Sequence, residues 1–177
     1  MKKIVFLVLF CFNFFSYSAE KKFYKEYYNQ RFGYSIDVCV ENLKENLEDR
    51  EPDNDDGVVI IEDKDVSSGV YGSFFISGED AAEGFSASIQ TLKKYYNNTI
   101  KEHSNGLGYH VLKKDYCVIS YLKDNIIYYE KVMLNERSGS FVKVWFSYSK
   151  EKAEEMKPLL ERITKSLKVN LPSVYDN

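Results

Sequence analysis

The residues best placed to do chemistry stand in one stretch, REPDNDDGVVI at positions 50–60, where Asp53, Asp55 and Asp56 bring three carboxylates together. Oxygen-rich clusters of this kind can hold Ca²⁺. An EF-hand loop needs side-chain oxygens at positions 1, 3, 5 and 12 and glycine at position 6. Aligning Gly57 with position 6 puts Asp56 at 5, Asn54 at 3, Pro52 at 1 and Asp63 at 12. Pro52 offers no side-chain ligand, so that motif fails. Two readings remain. Asp53, Asp55 and Asp56 could form an irregular Ca²⁺ site, since Ca²⁺ accepts varied oxygen geometry. The plainer one is turn chemistry before a β-branched run, because Asp bonds its own backbone and Gly reaches φ > 0.

Other catalytic constellations are weak. His103 and His110 lack zinc-ligand spacing, and no G-x-S-x-G elbow accompanies the serines. Neither a P-loop nor a G-x-G-x-x-G run is present to cradle phosphate. A hydrolase with paired carboxylates stays open as an alternative, although the acids gather in a loop rather than on adjacent strands. Cys39 and Cys117 permit one disulfide, which would stabilise by about 4–5 kcal/mol in the chain-entropy model, and equally permit two buried thiols. No C-x-x-C occurs, which argues against redox catalysis.

Charge sharpens the picture. Residues 41–65 hold 11 acids and three bases, a local charge of −8. We take Glu48, Asp49, Glu51, Asp53, Asp55, Asp56, Glu62, Asp63 and Asp65 as a candidate binding loop. A nucleic-acid binder should show a basic patch instead. An acidic loop suits a basic protein surface, because complementary fields steer encounter. No cofactor is indicated beyond the Ca²⁺ alternative. The 15 tyrosines and 12 phenylalanines could serve sugar stacking or a protein hot spot, but core packing is the simpler use. Trp145 reads as core.

The chain opens MKKIVFLVLFCFNFFSYSAE: two lysines, a short apolar run, then small residues. That is the layout of a secretory signal peptide over residues 1–19. The run is short against the roughly 20 apolar residues of a membrane span. The expected product is a periplasmic or secreted chain without stable membrane insertion, folded as one domain over residues 20–170 with a frayed tail at 171–177.

These residues need a scaffold. Phe32, Tyr34, Ile36 and Val38 alternate as in a half-buried strand. Leu43 and Leu47 suit a helical turn over 40–48. Residues 58–61 and 69–76 read as strands, with Gly72 marking a bulge or a close backbone approach. Residues 77–106 carry Phe85, Ile89, Leu92, Tyr96 and Ile100 at helical spacing, with Glu79, Asp80 and Glu83 near the helix start. Four apolar runs between 109 and 148 are separated by short polar gaps, the mark of a hairpin meander. Residues 150–168 give a second amphipathic helix through Ala153, Met156, Leu160, Ile163 and Leu167, kinked or restarted at Pro158. Strands with segregated helices imply an α+β fold on an antiparallel sheet.

Short motifs carry a resemblance as well. YYNQRFGYSIDV at 27–38, DNDDGVVI at 53–60 with the later Tyr71-Gly72, and KPLLERITKSL at 157–167 resemble segments of the PsbP-like (Mog-type) superfamily of small secreted bacterial proteins. Val38-Cys39 departs from it, standing where that pattern has tyrosine-proline. The resemblance implies an antiparallel sheet flanked by two helices and a binding role without catalysis, in some members as immunity proteins against cell-wall-degrading toxins. The expected function is therefore a non-catalytic protein-binding module. A paired-carboxylate envelope hydrolase, and an envelope assembly factor held by Tyr24, Tyr27 and Tyr28, are the alternatives.

Overall fold

The computed structural model describes residues 24–39, 56–77 and 87–175. Strands β1 (Tyr24–Asn29) and β2 (Tyr34–Cys39) form a hairpin. Six further strands form one antiparallel sheet: β3 (Gly57–Asp63), β4 (Val66–Ser73), β5 (Leu107–Leu112), β6 (Tyr116–Lys123), β7 (Ile126–Asn135) and β8 (Ser140–Ser149). Their spatial order is β3-β4-β8-β7-β6-β5. Helix α1 (Ile89–Glu102) precedes β5, and α2 (Ala153–Ser166) follows β8. The protein is thus α+β, with an antiparallel sheet and two main helices, as the strand and helix patterns imply. No helix among the described residues is long and apolar enough to cross a membrane.

The sheet's two faces do different work. On the inner face Val142, Val144, Phe146 and Tyr148 of β8 meet the hairpin's Phe32, Tyr34, Ile36 and Val38 and the Met156, Leu159 and Ile163 stripe of α2. All four alternating hairpin residues are buried, as their period of two requires. On the outer face Leu92 of α1 packs with Cys117, Ile119, Val132, Leu134 and Phe141. The meander follows its turns: Asp124 and Asn125, both at positive φ, close the two-residue β6–β7 hairpin, and Gly139 at φ +62° ends the four-residue β7–β8 turn.

Residues 31–33 form the corner on which several elements converge. Gly33 adopts φ +62°, its N–H donates to Asn29 O at 2.9 Å and its carbonyl accepts from Leu171 N at 3.0 Å. The Nδ2 of buried Asn135 donates to Phe32 O at 2.6 Å and Gly33 O at 3.2 Å. The Phe32 ring lies so close to Gly72 that any Cβ there would collide with it. At Gly72, where a bulge or a close backbone approach is expected, the pairing with Val142 is regular, and the close neighbour is the Phe32 side chain.

Several boundaries differ from expectation. Strand β1 occupies residues placed ahead of the first strand, because Gly33 lets the chain double back. Strand β4 begins at Val66, three residues early, since the turn after β3 is only two residues long. Helix α1 begins at Ile89, where Ser88 Oγ accepts from Thr91 N at 3.2 Å; its first turn holds no acid. Glu79, Asp80, Glu83 and Phe85 lie outside the described residues, as do the helical turn at 40–48 and residues 1–19. Pro158 sits within a single α2 rather than dividing it. Residues 171–175 of the expected frayed tail lie against the corner. Leu171 N bonds Gly33 O, Val174 N donates to Gln30 O at 3.0 Å, and the Tyr175 ring packs on Phe32 and Phe74.

Gly72→Ala should overpack this junction and cost about 1–3 kcal/mol. Thermal melting reads this directly, and an unchanged midpoint would contradict the contact.

Candidate functional site

The acidic stretch divides on inspection. Glu48, Asp49, Glu51, Asp53 and Asp55 lie outside the described residues. Asp56 is committed elsewhere. Its carboxylate takes Arg31 Nη1 at 2.5 Å. Its carbonyl accepts from Gly72 N at 2.7 Å and from Tyr34 Oη at 3.1 Å. Arg31 Nε reaches Tyr175 Oη at 3.1 Å. Asp56 therefore anchors the start of β3 to the corner. Gly57 is not a φ > 0 turn residue: it opens β3, and a Cβ there would strike the Val70 carbonyl. Close approach of β4 is the reason for glycine. Glu62 and Asp63 occupy β3 positions opposite Ser67 and Val66, and Asp65 is exposed in the β3–β4 turn. No group of three metal-ligating side chains occurs among the described residues.

Cys39 and Cys117, the two cysteines among the described residues, are separate buried thiols. Cys39 ends β2 opposite Tyr24, whereas Cys117 belongs to the outer-face core on β6, so the disulfide that spacing permitted is not formed. Burial, reinforced by the Glu130 charge, pushes the Cys117 thiol up to about 12. His103 caps the C-terminus of α1, and His110 is an exposed strand residue whose Nδ1 lies 2.6 Å from Tyr96 Oη.

The distinctive geometry lies on the outer face, beside α1. A shallow depression of about 240 Å³ is lined by Tyr71, Tyr128, Glu130, Lys143, Trp145 and Phe146. Register builds it. On β8, Lys143, Trp145 and Ser147 are half-buried while Val142, Val144, Phe146 and Tyr148 are buried. Tyr71 pairs with Lys143, Gly69 with Trp145, and Glu130 with Trp145 from the other side. Trp145, read as core from sequence, thus stands on the outer face. Gly69 makes room for it, with the indole Nε1 3.1 Å from where a Cβ would be. Tyr128 and Tyr129 point to opposite faces, as adjacent strand residues must. Tyr129 joins the inner core, and Tyr128 stacks on Tyr121 at 5.0 Å. Tyr121 in turn stacks on His103 at 3.7 Å. An aromatic row therefore runs from the end of α1 towards Trp145.

One charged pair sits within this row. Lys143 Nζ lies 2.9 Å from Glu130 Oε2, with 16% and 17% of the two side chains exposed. Tyr95 of α1 donates its hydroxyl to the same carboxylate oxygen and accepts from Lys143 Nζ at 3.2 Å. This network fastens α1 to the sheet. Burial, then the neighbouring Glu130 charge, raises the Tyr95 hydroxyl pKa; the same two causes push Tyr121 up to about 12. Among the residues lining the depression, Glu130 is the only carboxylate, and it is already paired. A two-carboxylate hydrolase needs a separate acid and base across the substrate. The arrangement offers instead aromatic surface, one donor and one acceptor.

Both free edges of the sheet are irregular. Register shifts at 59/61 in β3 and at 107/110 in β5. Bulges of this kind discourage the addition of a further strand.

Fold and site together define an α+β sheet protein with an open aromatic outer face. No protein-family model matches the chain, and no curated protein matches it significantly. It is similar to cyanobacterial PsbP (CyanoP) from Synechocystis sp., at 13% identity and a TM-score of 0.49 over 86% of this chain and 95% of that one. It is also similar to the Ran-binding protein Mog1p of Saccharomyces cerevisiae, at 12% identity and a TM-score of 0.42 over 85% and 97%.

Two measurements check this description. Unfolded tyrosines ionise near pH 10, whereas burial pushes Tyr121 and Tyr129 up to about 12 and raises Tyr34 and Tyr95 as well. The stability linked to these shifts is complete below pH 10 and is lost as pH rises towards 12. The urea midpoint should fall between pH 10 and 12; a constant midpoint would contradict buried hydroxyls. Both thiols should resist iodoacetamide at pH 8 in the native state and react fully in denaturant without reductant. Two thiols that need reductant would indicate a disulfide.

Proposed function

We propose that this chain is a secreted, non-catalytic binding protein whose partner is a protein with a basic surface, docked on the outer face of the sheet. The observation that carries this is the aromatic depression around Trp145, in which the lone lining carboxylate is neutralised by Lys143. Tyrosine and tryptophan dominate interface hot spots because they combine large apolar area with a polar tip. The β3–β4 turn carries exposed Lys64 and Asp65 and leads into β4 four residues before Gly69, which pairs with Trp145. An apolar centre with a charged rim is ordinary interface anatomy. The irregular sheet edges leave a face, rather than an edge, as the surface for docking.

The signal-peptide layout read in residues 1–19 and the likeness of short motifs to the PsbP-like superfamily fit this reading. The finer version is an immunity protein: the acidic loop, including Asp53 and Asp55, would occlude a cationic cleft of a cell-wall-degrading toxin. Ca²⁺ binding by that loop would rest on Asp53 and Asp55, because Asp56 is held by Arg31.

The test is capture of a partner from the cell envelope with the tagged mature chain, repeated with variants. Trp145→Ala should weaken binding by about 2 kcal/mol, the scale of a hot-spot aromatic. Asp65→Lys should chiefly slow association and flatten its salt dependence. A partner held equally by all variants would exclude this face.

A further inference from the structure

We propose that the depression beside Trp145 receives an arginine side chain of the partner, its guanidinium lying against the aromatic rings and donating to Glu130. This rests on the reading of the outer face as a protein-docking surface.

Dimensions come first. A shallow opening of about 240 Å³ admits one side chain rather than a segment of backbone. Its walls come next. Tyr71, Tyr128 and Trp145 surround the opening, and aromatic faces attract cations through their quadrupole, Trp most strongly. Arginine is better matched than lysine, because its planar, weakly hydrated guanidinium stacks on rings while still donating in its own plane. An acceptor is also in place. Lys143 and Tyr95 both engage Glu130 Oε2, which leaves Oε1 without a hydrogen-bond partner among the described residues. Guanidinium can donate to that second oxygen while Lys143 keeps the first, and charge-assisted bonds of this type are the strong ones.

Charge separates the competing occupants. Lys143 and Glu130 lie 2.9 Å apart and cancel one another as net charges. Discrimination therefore falls to the ring faces, which repel an anion and attract a cation, and to Oε1, which can accept a hydrogen bond but not donate one. A neutral sugar could stack on the rings but would gain nothing from their quadrupole. A cation gains from the rings and from Oε1 together.

Trp145 is the only tryptophan in the chain, so its fluorescence reports on this site alone. The full mature chain is titrated with a blocked glycine-arginine-glycine tripeptide, with its citrulline and lysine counterparts, and with maltotriose. The arginine peptide should give a saturable change in Trp145 emission. The citrulline peptide, which keeps the shape and loses the charge, should bind at least about tenfold more weakly, within the range of a charge-assisted bond. Glu130→Gln should reduce the preference for arginine over citrulline, leaving the part that the rings supply. Because Glu130 also holds α1, Tyr128→Ala, which leaves that network intact, serves as a second variant and should weaken the arginine peptide by a similar factor. Equal binding of the citrulline peptide, tighter binding of the lysine peptide, or a response to maltotriose instead would overturn the proposal. So would silence from every probe while the captured partner still perturbs Trp145, an outcome that leaves the docking face standing. Silence from the partner as well would remove the docking face itself.

Discussion

The corner at residues 31–33 is the constraint on which the rest of the structure depends. Three consecutive side chains and backbones serve three elements at once. Arg31 fixes the start of β3 through Asp56, Phe32 sits against Gly72 of β4, and Gly33 at φ +62° turns the hairpin over the sheet. Asn135 closes the arrangement from the β7–β8 turn by donating to the carbonyls of Phe32 and Gly33. Its Oδ1 accepts from the backbone of Arg137 and Ser138 at 3.2 and 3.4 Å, so one buried amide also shapes that turn. Buried polar groups of this kind are costly unless every partner is present. The corner thereby sets the height of the hairpin over the inner face and the position of β4 beside β8.

The outer face follows from that placement. With the hairpin and α2 occupying the inner face, α1 is left to cover the far part of the other. It reaches Phe141, Leu134 and Val132 and is latched by Tyr95 to Glu130 and Lys143. Beyond the latch the strands continue, and their outward residues are Tyr71, Tyr128 and Trp145. A charged pair that is half-buried costs desolvation, and the return comes from fixing geometry as much as from stability. Here it fixes α1 at one side of the aromatic depression. The same pair commits the one carboxylate lining the depression to Lys143 and Tyr95.

Much of this was legible in the chain. The period of two in Phe32, Tyr34, Ile36 and Val38 marked a buried strand face, and the spacing of Met156, Ile163 and Leu167 marked the buried stripe of α2. Polar gaps marked the meander to within a few residues. Strand β1 was not legible, because YKEYYN shows no alternation; its pairing depends on Gly33 and on Asn29, whose Oδ1 accepts from Phe32 N at 2.9 Å. Trp145 was misplaced although a signal existed: period two groups it with Lys143 and Ser147, a mixed set, against the uniformly apolar Val142, Val144, Phe146 and Tyr148. The pairing of Glu130 with Lys143 could not be read at all, since it requires the register across the β7–β8 turn. Asp56 looked like part of an acidic cluster, and only its distance from Arg31 reveals an anchor.

The most direct test of the account is ¹⁹F NMR of the chain labelled with 5-fluorotryptophan, which places one fluorine at Trp145 because no other tryptophan exists. Addition of the purified partner should shift or broaden that single resonance in proportion to the bound fraction. A resonance that stays unchanged while the partner is demonstrably bound would place the interface elsewhere on the molecule and contradict the account.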